Sequence, residues 1–138
     1  MILINCFDFQ IAGYDICESD IPYFISPGSS IISPNYPNKY EYNTDCNMTI
    51  RFSADQKVTI ELIFFDTEYG TDTLKVYDGP EGDEITSLDG YLVDNAGYTY
   101  TSTGNAMYLH FSSDGSVVYD GFLLIAKAGN DNITYWIH

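Results

Sequence analysis

Carboxylates are the most frequent side chains in this sequence that could do chemistry. The 138 residues include 20 Asp and Glu against 5 Lys and Arg, which gives a formal net charge of −15. Glu68 and Asp72 lie close together in sequence, and a carboxylate pair can serve as the acid and base of a glycosidase. Both residues are expected at a strand turn in an acidic field, with no sign of a substrate cleft. Such a surface attracts divalent cations and the Lys or Arg side chains of a partner.

Other residues that catalysis commonly uses are scarce. The chain has 2 histidines, His110 and His138. His110 lies on the outward face of a predicted strand, and His138 is the last residue. No GxSxG, phosphate-binding loop, HExxH or dinucleotide-binding motif occurs. The sequence therefore predicts a protein that is not an enzyme.

Charge and hydropathy also narrow the possible partners. With 5 basic residues, the chain can release too few counterions to hold a nucleic-acid duplex, and anionic membrane surfaces are disfavoured. No stretch approaches the roughly 18 apolar residues that a spanning helix needs, so we predict no membrane insertion. At 45% hydrophobic and 16% aromatic residues, the chain is too apolar for a disordered acidic tail. Its length suits one domain.

Cysteines and glycosylation sequons bear on the cellular compartment. The chain has 3 cysteines, Cys6, Cys17 and Cys46, and an odd number leaves at least one unpaired or linked to another chain. They lack CxxC spacing and make a poor zinc site. The sequons that begin at Asn47 and Asn132 would accept N-linked glycans if the chain passes through a eukaryotic secretory route.

The elements that must position these side chains are predicted to be strands. In three segments an apolar residue occupies every second position, and this alternation indicates half-buried strands. The residues expected to face the core are Met48, Ile50 and Phe52; Val58, Ile60, Leu62 and Phe64; and Met107, Leu109 and Phe111. Turn-forming clusters separate the segments, and no window combines helical spacing with caps. We predict an all-β fold, a two-sheet antiparallel β-sandwich, in which the Asn47 side chain points outward.

An ordered series of short motifs runs from Cys17 to about Lys127. Its members are Cys17; Ile32 to Pro37 followed by Tyr40; Cys46; the strand ending Phe64-Phe65-Asp66-Thr67-Glu68; Asp72 before Leu74 to Gly79; Leu109 to Asp114; and Gly121-Phe122. In this order and spacing the chain resembles a CUB domain, a jelly-roll β-sandwich of extracellular proteins. The resemblance implies a CUB domain over residues 17–127, with strand-like extensions at 1–16 and 128–138.

The resemblance implies a disulfide between Cys17 and Cys46. Such a bridge would close a loop of about 30 residues. The family's usual second disulfide is missing, because Tyr69-Gly70-Thr71 and Gly90-Tyr91-Leu92 contain no cysteine. Met48 stands where the family often has tryptophan. We predict one bridge and a secreted, extracellular protein, the alternative being two free thiols in a reducing compartment.

In one branch of the family a calcium ion lies at one end of the sandwich. A Glu and an Asp that flank a turn hold it, together with an Asp of a later loop, and the matching positions here are Glu68, Asp72 and Asp114. Three converging carboxylates would repel one another, whereas Ca²⁺ accepts about six to eight oxygen ligands. The alternative is a cluster of acids that are merely solvated.

Other residues are expected around the ion by the same resemblance. Tyr40 would orient the site without binding the metal. Backbone carbonyls of Gly115, Ser116 and Val117, with water, would complete the coordination shell. Asp66 could join the site or only hydrogen-bond the turn.

The resemblance also implies a role in protein–protein interaction or adhesion. In calcium-binding relatives the ion orders the surrounding loops, and an exposed carboxylate then receives a Lys or Arg of the partner. The net charge would steer a basic partner to this site. Two alternatives stay open: a structural subunit that assembles into an oligomer or filament through its strand-like ends, with Cys6 available to lock it, and a CUB-type carbohydrate binder rich in tyrosine. The ends could also simply extend the sheets of the same domain.

Overall fold

The fold of this protein is built from β-strands. The computed structural model describes residues 13–92 and 97–129, and these residues form nine strands. The strands are β1 (Gly13–Asp15), β2 (Ser29–Ile32), β3 (Asp45–Arg51), β4 (Val58–Asp66), β5 (Thr73–Tyr77), β6 (Glu84–Leu88), β7 (Thr99–Thr101), β8 (Ala106–Ser112) and β9 (Gly121–Ala128). Within this part of the chain, no helix is long and apolar enough to cross a membrane.

The strands form two sheets. One sheet has five strands in the order β1-β2-β9-β4-β7, and the other has four in the order β3-β8-β5-β6. Neighbouring strands run antiparallel except β1 and β2, which are parallel with Gly13 opposite Ser30. The predicted β-sandwich is confirmed, and the pairing of β1 is its one parallel exception among the described residues.

Alternating apolar side chains of both sheets form a continuous core. In β3 and β8 the pattern is the predicted one, because the alternate residues Met48, Ile50, Met107, Leu109 and Phe111 are all buried. Burial of each large apolar side chain stabilises the fold by about 1.5–3 kcal/mol relative to exposure. The two sheets therefore hold together mainly through this layer.

Four aromatic rings form a row across the core. Tyr40 meets Phe111 edge to face with 5.1 Å between ring centroids, and Phe111 meets Phe122 in the same way at 5.2 Å. Phe122 then stacks on Phe65 at 5.7 Å. These edge-to-face and stacked contacts are the preferred geometries of aromatic pairs. The row connects the loop that holds Tyr40 to strands of both sheets.

The prediction that Phe64 faces the core is wrong. Register between β4 and β9 shifts between Leu62 and Phe64, so that Ile63 is an extra residue in β4. This β-bulge moves the following side chains to the opposite face. Phe65 is consequently 0% exposed, whereas Phe64 is only half-buried. Periodicity does not reveal the bulge because the extra residue is itself apolar.

A disulfide joins the segment after β1 to the start of β3. Cys17 and Cys46 are bonded, with 5.0 Å between their Cα atoms, which confirms the predicted pairing. The domain boundaries at residues 17 and 127 stay predictions. On the N-terminal side of that boundary, β1 pairs with β2 and Ile16 is fully buried. Cys6, Asn132 and most of both strand-like ends, residues 1–12 and 130–138, lie outside the described residues.

We expect Phe65→Ala to lower the free energy of unfolding by about 3–5 kcal/mol, because it leaves a cavity in the fully buried aromatic row. Phe64→Ala is the matched control. Its ring is half-buried beside Tyr36, so the loss should be clearly smaller. Urea denaturation followed by circular dichroism measures both. Equal losses, or a larger loss for Phe64→Ala, would contradict the bulge.

We expect the double variant Cys17→Ser with Cys46→Ser to be less stable than the parent by about 3 kcal/mol, because the open chain regains loop entropy when it unfolds. The same denaturation experiment measures the difference. A reducing agent should lower the stability of the parent and leave the double variant unchanged. A variant as stable as the parent would show that the bridge adds nothing to folding.

Candidate metal site

Three carboxylates from separate segments meet at one end of the sandwich. Glu68 follows β4, Asp72 precedes β5 and Asp114 follows β8. Because Thr73 of β5 pairs with Ser112 of antiparallel β8, the start of β5 lies beside the end of β8. One carboxylate oxygen of each acid lies within 4.8 Å of the others. The structure thus brings together the three residues predicted as metal ligands.

The turn between Glu68 and Asp72 is closed by its own backbone. The N–H of Asp72 donates to the carbonyl of Glu68 at 3.1 Å. Gly70 has a φ of 82°, in the left-handed region where glycine is favoured because it has no Cβ. Its N–H donates to Oδ2 of Asp89 at 3.1 Å, in the turn after β6. The turn is therefore held in one conformation that points both acids the same way.

A buried threonine ties this turn to the neighbouring segment. Thr67 is 2% exposed, and its hydroxyl donates to the carbonyl of Asp72 at 2.8 Å. The same oxygen accepts the N–H of Gly90 at 3.0 Å. The buried hydroxyl of Thr67 thus both donates and accepts a hydrogen bond, as buried polar groups require.

Asp72 is the most buried of the three acids, at 0% exposure. Its Oδ2 accepts the hydroxyl of Tyr40 at 2.7 Å, and its Oδ1 accepts the N–H of Asp114 at 3.0 Å. None of the ion pairs among the described residues includes Asp72. Buried charges in proteins are generally paired or coordinate metals. The two hydrogen bonds come from neutral donors, so no positive charge among these contacts balances the carboxylate.

Glu68 carries an unsatisfied atom. Its Oε1 is buried and has no hydrogen-bond partner in the described part of the chain. Such atoms are rare in native proteins and call for a specific partner. With Asp72 and Asp114 beside it, Glu68 completes an all-oxygen donor set of the type that hard divalent cations prefer. The residues present therefore fit a calcium ion.

Tyr40 contacts two of the three acids. Besides donating to Asp72, its hydroxyl accepts the N–H of Glu68 at 3.2 Å. Burial, reinforced by the hydrogen bond to Asp72, raises the pKa of Tyr40 well above its usual value. The phenol consequently stays protonated and donates at neutral pH. This is the geometry that an orienting residue would need.

The loop after β8 presents the third acid. Asp114 is partly exposed, and its Oδ1 accepts the N–H of Ser116 at 3.1 Å. Val117 has a φ of 43°, an outlier for a β-branched residue. Strained backbone of this kind clusters at functional sites. The loop from Gly115 to Val117 adjoins the carboxylate cluster, and metal binding by its carbonyls stays a prediction.

Two residues that support this loop were not predicted. The N–H of Asn43 donates to the carbonyl of Asp114 at 2.8 Å, and the N–H of Thr44 donates to Oγ of Ser113 at 2.9 Å. Asn43 has a φ of 54°, in the left-handed region that asparagine tolerates best among residues with a Cβ. The Asn-Thr pair is a turn signal in the sequence. Nothing local indicates which distant loop it contacts.

Asp66 lies outside the carboxylate cluster found among the described residues. It pairs with Gly121 of β9. Burial raises its pKa, the charge of Asp120 raises it further, and Lys39 lowers it. β4 ends at Asp66, so strand alternation does not carry on to Glu68. A contact of Asp66 with the metal stays a prediction.

Exposed tyrosines lie in the segments that adjoin the cluster. Tyr69 is 84% exposed in the turn between the first two acids. Tyr91 is 65% exposed and forms an isolated bridge with Asp66. Tyr42, also exposed, precedes Asn43. Aromatic residues are enriched at protein interfaces. This end of the sandwich thus combines carboxylates with accessible aromatic surface.

Comparison with known proteins identifies relatives that share this architecture. The family model of the CUB domain matches residues 5–125, so the match begins earlier than the predicted boundary at residue 17. The chain is 37% identical over 117 residues to the protein SpAN of Strongylocentrotus purpuratus. This match covers 82% of this chain and 19% of SpAN. The chain therefore spans about a fifth of this relative.

Solved structures agree with the fold. The full extracellular region of zebrafish Gpr126/Adgrg6 matches with a TM-score of 0.66 and 33% identity, covering 75% of this chain and 14% of that one. The MASP-1 CUB2 domain bound to Ca²⁺ matches with a TM-score of 0.60 and 23% identity. The match covers 76% of this chain and 96% of that domain. CUB domains occur in extracellular proteins, mediate protein interactions and are generally not catalytic. Because the family model spans most of its length, this chain belongs to the CUB domain family.

Proposed function

We propose that this chain is a secreted, non-catalytic CUB module that binds calcium and, through the loops that calcium orders, a protein partner. The observation that carries the proposal is the buried, unpartnered Oε1 of Glu68 next to the buried Asp72. An oxygen-only donor set with no opposite charge favours a hard cation. The calcium-bound MASP-1 CUB2 domain, which has the same fold, supports this assignment.

Calcium would supply the positive charge that offsets the repulsion among the three carboxylates. Glu68, Asp72 and Asp114 would hold it, with the carbonyls of residues 115–117 and water. The irregular set of turn and loop groups suits calcium better than magnesium, which demands a tighter octahedral shell. Tyr40 would keep the Asp72 carboxylate turned toward the ion. The turn after β4 and the loop after β8 would then form one surface.

The partner of this surface would contribute a Lys or Arg side chain. Asp114 and Glu68 are both partly exposed, and the net charge of −15 would accelerate the approach of a basic partner. The exposed rings of Tyr69 and Tyr91 would add contact area and would offer their faces to the Lys or Arg side chain of the partner. One exposed ion pair is weak, so useful affinity needs several contacts or several copies.

We expect calcium to raise the unfolding midpoint of the chain in a concentration-dependent way. A free ligand at 100 times its dissociation constant adds about 2.7 kcal/mol of stability by mass action. Differential scanning calorimetry in calcium, in magnesium and in chelator measures the effect, which should be smaller in magnesium. No rise at millimolar calcium would contradict the proposed site.

Variants locate this effect. Glu68→Gln removes one of three neighbouring negative charges, and Oε1 of Glu68 has no hydrogen bond among the described residues. It should cancel most of the calcium effect and leave the calcium-free midpoint unchanged or slightly raised, because repulsion among the acids falls. Glu81→Gln is the matched control in the turn between β5 and β6, at the other end of β5 from Asp72. Asp72→Ala should cancel the effect and also destabilise the calcium-free fold. Equal stabilisation of all three variants would place calcium elsewhere.

We expect Tyr40→Phe to lower the free energy of unfolding by about 1–3 kcal/mol, because buried groups of Asp72 and Glu68 lose their partner. It should also weaken calcium binding, since the Asp72 carboxylate is no longer oriented. Chemical denaturation and isothermal titration calorimetry measure the two effects. Tyr69→Phe makes the same change on an exposed ring and should alter neither. Unchanged calcium affinity in Tyr40→Phe would exclude an orienting role.

Binding to a cationic surface tests the partner chemistry. We expect calcium to increase the binding of the chain to immobilised poly-L-lysine, although added salt weakens bulk electrostatic attraction. Glu68→Gln should lose this increase and Glu81→Gln should keep it, while both change the net charge equally. Biolayer interferometry measures the response. Identical binding of the parent and both variants, with no calcium dependence, would show that only overall charge is recognised.

A further inference from the structure

Asn47 lies on the edge of the four-stranded sheet. β3 pairs with β8 and ends the sheet order on that side. Asn47 is exposed, Met48 is 4% exposed and faces the core, and Thr49 is half-buried. Strand alternation therefore places Asn47 and Thr49 together on the outward face. The residue that would carry a glycan and the threonine recognised with it are both on the outer surface.

The compartment is compatible with N-glycosylation. The chain belongs to a family of extracellular proteins, and it carries the disulfide between Cys17 and Cys46. Disulfides of this kind form along the secretory route. In eukaryotes that route also modifies Asn-X-Thr sequons. The Asn47 sequon is the one that the described residues contain.

An open cavity of about 420 Å³ adjoins this asparagine. It lies between β3 and the segment that follows Cys17, and its lining includes Glu18, Pro22, Tyr23, Asn47, Thr49 and Arg51. Tyr23 is 67% exposed, and the Arg51 guanidinium lies 4.0 Å from the centre of its ring. An aromatic ring beside a few polar and charged groups is a combination that binding sites use to orient a ligand. The cavity thus has the chemistry to contact a sugar that bears hydroxyl and amide groups.

We infer that Asn47 carries an N-linked glycan and that the first N-acetylglucosamine of this glycan lies in the cavity, against Tyr23 and Arg51. The sugar is attached to a residue of the cavity wall, so contact is intramolecular. A tethered group meets its site at a high effective concentration, and weak contacts are then sufficient. The glycan also covers part of the outward face of β3. This inference is independent of the metal site.

Secretion of the full chain from mammalian cells tests the modification. Mass spectrometry should find a glycan on Asn47 that peptide-N-glycosidase removes with conversion of Asn47 to Asp. Thr49→Ser keeps the sequon and should keep the glycan, whereas Thr49→Ala and Asn47→Gln should lose it. Asn132→Gln should leave the glycan on Asn47 in place. Secreted, folded protein with an unmodified Asn47 would overturn the inference.

Nuclear magnetic resonance tests where the sugar lies. After an endoglycosidase trims the glycan to one N-acetylglucosamine, its acetyl methyl protons should show nuclear Overhauser effects to the ring of Tyr23. Tyr108, which pairs with Thr49 from β8, is the control ring on the outward face. Effects to Tyr108 instead, or none to either ring, would show that the sugar does not occupy the cavity. In Tyr23→Ala the acetyl resonance should shift toward that of a solvated sugar.

Discussion

The buried carboxylate of Asp72 is the constraint around which this end of the protein is organised. Removing a charged group from water costs several kcal/mol unless bonds and opposite charge offset it. Tyr40 donates to one oxygen and the backbone of Asp114 donates to the other. Thr67 holds the carbonyl of the same residue. The side chain of Asp72 therefore connects its own segment to those of Tyr40 and Asp114, which are distant in sequence. The negative charge left without a partner is the reason that we propose a cation here.

The aromatic row makes this site part of the core. Tyr40 hydrogen-bonds Asp72 with one end and packs against Phe111 with its ring, and the contacts continue through Phe122 to Phe65. Close-packed interiors transmit strain because few voids absorb it. The bulge at Ile63 is what turns Phe65 into this row. The bulge in β4 thus supports the aromatic row that holds Tyr40 against Asp72.

Two surfaces of the sandwich have different chemistry. The end with Glu68, Asp72 and Asp114 combines carboxylates with exposed tyrosines, of which Tyr69 is the most exposed, and this is where we propose that a basic protein partner binds. The outward side of β3 carries the Asn47 sequon and its adjoining cavity, and a glycan there would cover part of this face. Together, the two proposals direct a partner to the end where calcium would order the loops.

The sequence by itself determined strands β3, β4 and β8 and most of their inward faces, because side-chain alternation is a local property of extended backbone. The burial of Met48, Ile50 and Leu109 follows from it. The ordered motifs also carried the family resemblance, and with it the disulfide and the three acids. Only the tertiary structure decided the bulge after Leu62, the unpartnered oxygen of Glu68 and the support that Asn43 gives to the loop after β8. These features depend on contacts between segments far apart in the chain, and no local pattern encodes which distant groups will meet.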